Sequence, residues 1–300
     1  LWALFRTRLF SLQHDCGHGS LFSTKEKNEK WMGVLSVISW VSVPWSGVHA
    51  IHHMTNADLA YSDIGDIELL TEKNFPALPL WKKLYYFMHR NPLFLCIVVG
   101  TLYITIYERV RFDLFKEKVR ELKKVSKIRS LLHERSPAKT NILILVIYGM
   151  SALLLEAAWG IGWHFVVLLL ISNVIWGSIA FWFFFLQHQD ETLLKLSQRK
   201  MDSMTRDGLS GKGNKHLLVS MLGSTYYKVP GWLRYFVADI TFHPLHHLME
   251  NIPNYRIKEA WEKLKGLVPE AEAIITTLTI KSSLQLITKW YVLFDTELDR

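Results

Sequence analysis

Cysteine is almost missing from this chain: only Cys16 and Cys96 occur in 300 residues, and no CxxC pair is formed. That excludes a disulfide framework and fits a reducing, cytosol-facing compartment. It also leaves no thiolate cluster for an iron–sulfur module, and no CxxCH haem-attachment motif is present in the chain. The first residues lack the charged start, apolar run and small-residue cleavage site of a secretory signal. Position 1 is not Met, and residues 1–13 read as the end of a membrane helix whose beginning is absent, so a truncated N-terminus is expected. No internal repeat, low-complexity stretch or nucleic-acid-binding motif occurs, so the net charge of +8 does not point to RNA or DNA.

Apolar residues, by contrast, are abundant. Half of the chain is hydrophobic and mean hydropathy is +0.12, yet 21% of residues are charged. A membrane protein with a substantial polar face satisfies both values. Trp163 to Leu186 carries no formal charge and is long enough to cross about 30 Å of hydrocarbon. Ile142 to Gly160 is nearly as apolar, interrupted only by Glu156, and the Gly160-Ile161-Gly162 break predicts a transmembrane hairpin over 142–186. Trp31 to Val43 and Pro92 to Tyr107 are shorter than a full span, which suits interfacial or re-entrant segments.

Charge placement orients this arrangement. Residues 108–140 hold eleven Lys/Arg against five Asp/Glu, and positive loops stay on the cytoplasmic side. Within that loop Phe112, Phe115, Val119, Leu122 and Val125 recur at helical spacing, which fits an amphipathic helix on an anionic membrane surface or an ordinary solvated helix. With 142–186 as the membrane hairpin and the remainder inside, every histidine-rich stretch falls on one cytosolic face. The chain after Tyr255 reads as soluble helices.

Those stretches carry the chemistry. "HAIHH" places His49, His52 and His53 at i, i+3 and i+4, and "HPLHH" repeats the spacing at His243, His246 and His247. On a helix such residues share one face. Pro244 is compatible with a helix that starts there, because its missing N–H costs nothing in a first turn. "HDCGH" adds His14 and His18 at i and i+4, and His188 lies in "FFFLQHQDE" where the longest apolar run ends. A lone histidine is more often a core residue with satisfied hydrogen bonds, and His89, His133, His164 and His216 are read that way. Repetition of the same spacing makes chance a poor account of the other nine. Imidazole suits iron, copper, zinc and nickel, and nine rings are too many for one ion. Two metals, each with several imidazoles and an open position, fit the count. Such a pair can activate oxygen against acyl chains, whereas a metal carrier should bury its ligands at the membrane midplane.

"HDCGH", "HAIHH" and "HPLHH" resemble the three histidine boxes of the membrane-bound fatty acid desaturase superfamily, nearest to its acyl-lipid delta-12/omega-3 type. "RLFSLQHDCGHGSLF", "GDIELLT", "FFFLQHQDE", "GSTYYKVP" and "HHLMENIPNYR" match the surrounding context, so the likeness covers nearly the whole chain. The resemblance implies an all-α membrane protein, a transmembrane bundle under a cytosolic helical cap, as a single desaturase domain over 1–300. It implies two irons held by His14, His18, His49, His52, His53, His188, His243, His246 and His247. The family commonly has two membrane helices before the first box, where this chain has at most the end of one. Four positions before the third box the family often has an Asn that reaches iron through water; Asp239 stands there, to act through water or bind directly. Asp15 and Asp190 are candidates to orient ligand histidines from behind. Trp45, Tyr226 and Tyr227 suit either the wall of an acyl tunnel or anchoring at the membrane interface. The implied reaction is O2-dependent formation of a cis double bond in a lipid- or carrier-linked acyl chain, with electrons from a separate ferredoxin or cytochrome b5-type protein. An acyl hydroxylase or a carotenoid ketolase or hydroxylase would share the same boxes.

Overall fold

The computed structural model describes residues 1–43, 45–107, 137–196, 219, 221–288 and 293–296. The basic stretch with Phe112 to Val125, and His133 and His216, lie outside the described residues. The chain divides into two compact units, Leu1–Val48 with Cys96–Phe181, and His49–Leu95 with Trp182–Arg300.

In the first unit, α1 (Trp2–His18) ends at Gly19, whose φ of 71° suits the left-handed cap that glycine adopts without strain. The stretch expected to be the end of a membrane helix lies within this helix. α2 (Lys25–Ser39) starts where the Thr24 hydroxyl accepts the Lys27 N–H at 3.3 Å. The intervening turn is tied by Asn28, whose side-chain amide reaches the carbonyls of Gly19, Phe22 and Thr24. α1 and α2 then bury Cys16, Met32 and Leu35 between them.

Polar side chains of α1 point inward. Arg6 is fully buried and donates through Nε and Nη2 to the Ser39 carbonyl at 3.2 and 2.9 Å. Its Nη1 donates to Ser172 Oγ and Asn173 Oδ1 at 3.2 and 2.7 Å, and the guanidinium lies over Trp176. Gln13 completes a second clamp, donating to the Val41 carbonyl and accepting from the Ser39 hydroxyl.

After α3 (Trp45–Thr55) and α4 (Leu80–Arg90), α5 (Pro92–Tyr107) opens with Pro92 behind an Asn91 cap and widens to π-type turns at Leu95–Val99 and Tyr103–Tyr107. α4 and α5 pass a test of length and apolarity for a membrane span only together, and they are bent by 76° at the break. α6 (Pro137–Trp159) and α7 (Gly162–His188) are each long and apolar enough to cross a membrane. Leu153, Leu154, Trp163 and Leu168 stand exposed on them, as lipid-facing side chains do. Gly160 turns the chain at φ 68°, and Glu156 Oε2 accepts the Gly162 N–H at 2.8 Å. The lone acid of this apolar stretch therefore caps the N-terminus of the next helix, where a negative charge is favoured.

The second unit holds the rest. β1 (Thr225–Lys228) pairs in parallel with β2 (Thr276–Thr279), a small sheet that the all-helical expectation did not contain. Between the strands run α8 (Gly231–Val237), α9 (His243–Leu248), α10 (Asn254–Leu267) and α11 (Ala271–Ile274), and α12 (Ile280–Gln285) follows β2. Phe242, Leu245, Ile257, Trp261 and Ile275 form the core that fixes α9.

Gly100 and Gly177 bring α5 and α7 together: a Cβ at Gly100 would stand 2.8 Å from the Gly177 carbonyl oxygen. Replacing Gly100 with Val should therefore destabilise the detergent-solubilised protein by about 1–3 kcal/mol. Replacing Gly149, which has open space around it, with Ala should change stability by no more than about 0.5 kcal/mol. Equal melting temperatures for the two variants would refute the close approach.

Candidate metal centre

Three helices of the second unit aim histidines at common points. α3 presents His49, His52 and His53 from successive turns, and α9 presents His243, His246 and His247 with Pro244 in its first turn. His188 is the last residue of α7. Thr225 Oγ1 donates to the Leu186 carbonyl at 2.8 Å, and Gln187 Nε2 donates to the Ile240 carbonyl at 3.0 Å, so the end of α7 is held beside β1 and the approach to α9.

Two groups result. His52, His188, His243 and His247 are all buried and share one locus. Their Nε2 atoms run from His52 to His188 at 3.1 Å, on to His243 at 2.8 Å and on to His247 at 3.0 Å. Beside them the Nε2 of His53 lies 3.0 Å from both that of His49 and that of His246. The groups abut: the His53 and His247 rings are stacked with centroids 4.2 Å apart.

These distances test whether a metal fits. An ion about 2.1 Å from two imidazole nitrogens separates them by about 3.0 Å at a right angle and about 3.4 Å at a tetrahedral one. The observed 2.8–3.1 Å matches the smaller angle. Hydrogen bonding alone satisfies the four-ring chain poorly, because His188 and His243 would each have to serve two neighbours through a single Nε2 that is either donor or acceptor. A cation accepts all of the lone pairs at once.

Charge state agrees. Burial, and then the neighbouring His53, His243, His52 and His188, hold His247 well below the ordinary value of 6.5, so the ring is neutral at neutral pH. Backing groups orient the rings, as metal-bound imidazoles require. His53 Nδ1 faces Glu250 Oε2 at 3.6 Å. Glu250 was not singled out by sequence. The only available signal for Glu250 was its position three residues after His247 in "HHLMENIPNYR".

The first unit holds His14 and His18 one turn apart on α1, with ring centroids 4.6 Å apart. Asp15 approaches His14 Nδ1 at 3.4 Å, which leaves the His14 Nε2 edge to a metal. Trp45 packs edge-on against Phe10 and lies beside His14.

Other expected residues have different surroundings. Asp239 sits at φ 35°, and its carboxylate meets Arg234 Nε at 2.8 Å; neither histidine group, among the described residues, includes a carboxylate. Asp190 accepts from the Thr192 N–H and hydroxyl at 2.9 and 2.6 Å, holding the turn after α7 rather than a ring. Tyr226 stacks on Phe242, and Tyr227 is buried with its hydroxyl 3.1 Å from Ser283 Oγ, so both pack around β1.

A neutral His247 in the fold against an ordinary one in the unfolded chain gives a signed pH dependence. Its contribution to stability is complete above pH 6.5 and is lost as pH falls through its lowered folded-state value. Metal-stripped protein should lose stability progressively as pH falls from about 7 to 5. A flat stability profile over that window would contradict a buried neutral cluster.

The comparisons with known proteins agree with this geometry. The fatty acid desaturase family model matches residues 1–279. A fatty acid desaturase of Bacillus subtilis is 29% identical over 287 residues, covering 94% of this chain and 70% of its own length. An sn-1 acyl-lipid omega-3 desaturase (ferredoxin) of Synechocystis is 22% identical over 271 residues, covering 87% of this chain and 65% of its own. With the histidine boxes folded into two adjoining donor groups and the family match extending over nearly all of the chain, the protein belongs to the fatty acid desaturase family, histidine-box di-iron oxidoreductases that desaturate acyl chains.

Proposed function

We propose that this chain is an O2-dependent acyl-lipid desaturase whose two irons are held by all nine box histidines. Within the second unit His52, His188, His243 and His247 hold one ion, and His49, His53 and His246 serve the other; His14 and His18 are ligands by the family's first histidine box. The observation that carries the reading is the pair of adjoining all-imidazole groups, one of them wholly buried, within a chain of this family. When bound, reduced iron supplies the oxygen activation and C–H cleavage for which side chains alone have no chemistry.

The balance is simple. One –CH2–CH2– unit, O2, two electrons and two protons give one cis –CH=CH– unit and two waters. Protein groups keep the donor rings neutral, hold their tautomers through Asp15 and Glu250, and bury the centre so that bulk water is excluded. Neutral donors leave the ions their full charge, and water exclusion limits competing hydrolysis.

The α6–α7 hairpin crosses the bilayer, and the histidine groups face the cytosol, because the basic residues of 108–140 hold their end of α6 inside. The electron donor is a small separate carrier of ferredoxin or cytochrome b5 type. The ferredoxin in the name of the Synechocystis relative supports the first. Asp239, four residues before His243, pairs with Arg234, and a role at the iron would be exerted through water or directly.

Expression in a host lacking polyunsaturated lipids, followed by mass spectrometry with double-bond localisation, should show a new cis double bond. A new hydroxyl and no new double bond would indicate the acyl hydroxylase with the same core. His52→Ala and His53→Ala should each abolish product and lower bound iron from about two toward one per chain. Zinc alone, with no oxygen consumption, would overturn the enzyme in favour of a metal carrier. Reversing several charges between Lys116 and Arg129 should slow turnover with the carrier and flatten its salt dependence; unchanged kinetics would remove that docking surface.

A further inference from the structure

Next to the four-histidine group lies a buried polar network for which box chemistry has no role. Gly65, at φ 73°, turns the chain so that Asp66 points inward. Asp66 Oδ1 accepts from its neighbour's amide, Ile67 N, at 2.7 Å and from Gln189 Nε2 at 3.0 Å. Asp66 Oδ2 faces Lys195 Nζ at 3.6 Å, with the side chains of the pair only 8% and 6% exposed. Gln189 is fully buried, and its Oε1 accepts from Arg90 Nη1. Because Gln189 directly follows His188, this network grips the metal-bearing end of α7. Asp66 and Lys195 also line a small polar cavity that His52 walls on another side.

Buried ion pairs are costly, and replacing one with apolar residues is often neutral or stabilising. Structure alone therefore explains this pair poorly. The four-histidine group offers a reason, since its donors are neutral and a divalent ion bound there keeps its whole charge in a buried setting. We propose that Asp66 is a positioning residue for the four-histidine site: its carboxylate fixes Gln189, and with it His188, and supplies the counter-charge that the imidazoles lack. Lys195, on the far oxygen, limits how much of that charge reaches the site. Electrostatics agree: burial pushes the Asp66 carboxyl up, but Lys195, His188 and His52 outweigh it and leave it below the ordinary carboxylate value. The inference rests on the two-metal reading above.

Cobalt(II) titrated into the metal-stripped full chain in detergent, followed by absorption and chelator competition, tests it without requiring turnover. Wild type should take about two ions per chain. Asp66→Asn keeps the acceptor for Gln189 and removes the charge, so one ion should weaken by about 10–100-fold while the other holds. Lys195→Met unmasks the carboxylate, so the same ion should bind as tightly as in wild type or more so. The double variant, which leaves neither member of the ion pair charged without the other and so guards against a folding failure, should weaken that ion as Asp66→Asn does. Unequal responses of the two single variants are the signature that a merely structural network would not give. If Lys195→Met weakens the ion as much as Asp66→Asn, or if the double variant binds like wild type, the inference is overturned. A wild type that takes no cobalt overturns the two-metal reading and this inference together, whereas two ions held with wild-type affinity in every variant removes this inference alone.

Discussion

Seven imidazole nitrogens within a buried part of one unit are the constraint on which this molecule turns. Neutral nitrogen lone pairs about 3 Å apart gain little from each other, and a protonated ring among them would be costly in a site without water. Only a cation satisfies them together. The surrounding structure then has three tasks: keep the rings neutral, keep them aimed, and keep water out.

Each task has its residues. Burial, followed by neighbouring histidines, keeps His247 neutral. Glu250 stands behind His53, and the α7 end is held to β1 and to the turn before α9. Phe242, Leu245 and Trp261 form the core that buries one side of α9. Within the first unit Arg6 is buried and joins α1, the end of α2 and the middle of α7 through the neutral acceptors of Ser39, Ser172 and Asn173. A long apolar helix accepts such a cation because Ser172 and Asn173 meet its donors.

The membrane helices were legible because a span is a local property, in which length and lack of charge over about 20 residues suffice. Trp163 to Leu186 lies wholly inside α7, and Glu156, which interrupts the preceding run, proves to be the cap of the turn. The β1–β2 pairing was not legible. Thr225 to Lys228 and Thr276 to Thr279 are four residues each and about fifty apart, so neither carries a periodicity to read, and a parallel pair is declared only by its partner. For the same reason the packing of Tyr226 against Phe242 and of Tyr227 against Ser283 could not be read in advance.

What the sequence determined by itself was the donor set: spacing of three and four on a helix puts imidazoles on one face whatever the helix later packs against, so His49, His52, His53, His243, His246 and His247 were visible as two triplets. How the triplets are shared was decided only by the tertiary structure. Each splits between the two groups, His52 apart from His49 and His53, and His246 apart from His243 and His247, because α3 and α9 interleave and His188 arrives from α7. Asp66 and Lys195 belong to the same category, more than a hundred residues apart and joined by folding alone. Spacing along one helix specifies which rings can act together; only the crossing of helices specifies which nitrogens meet.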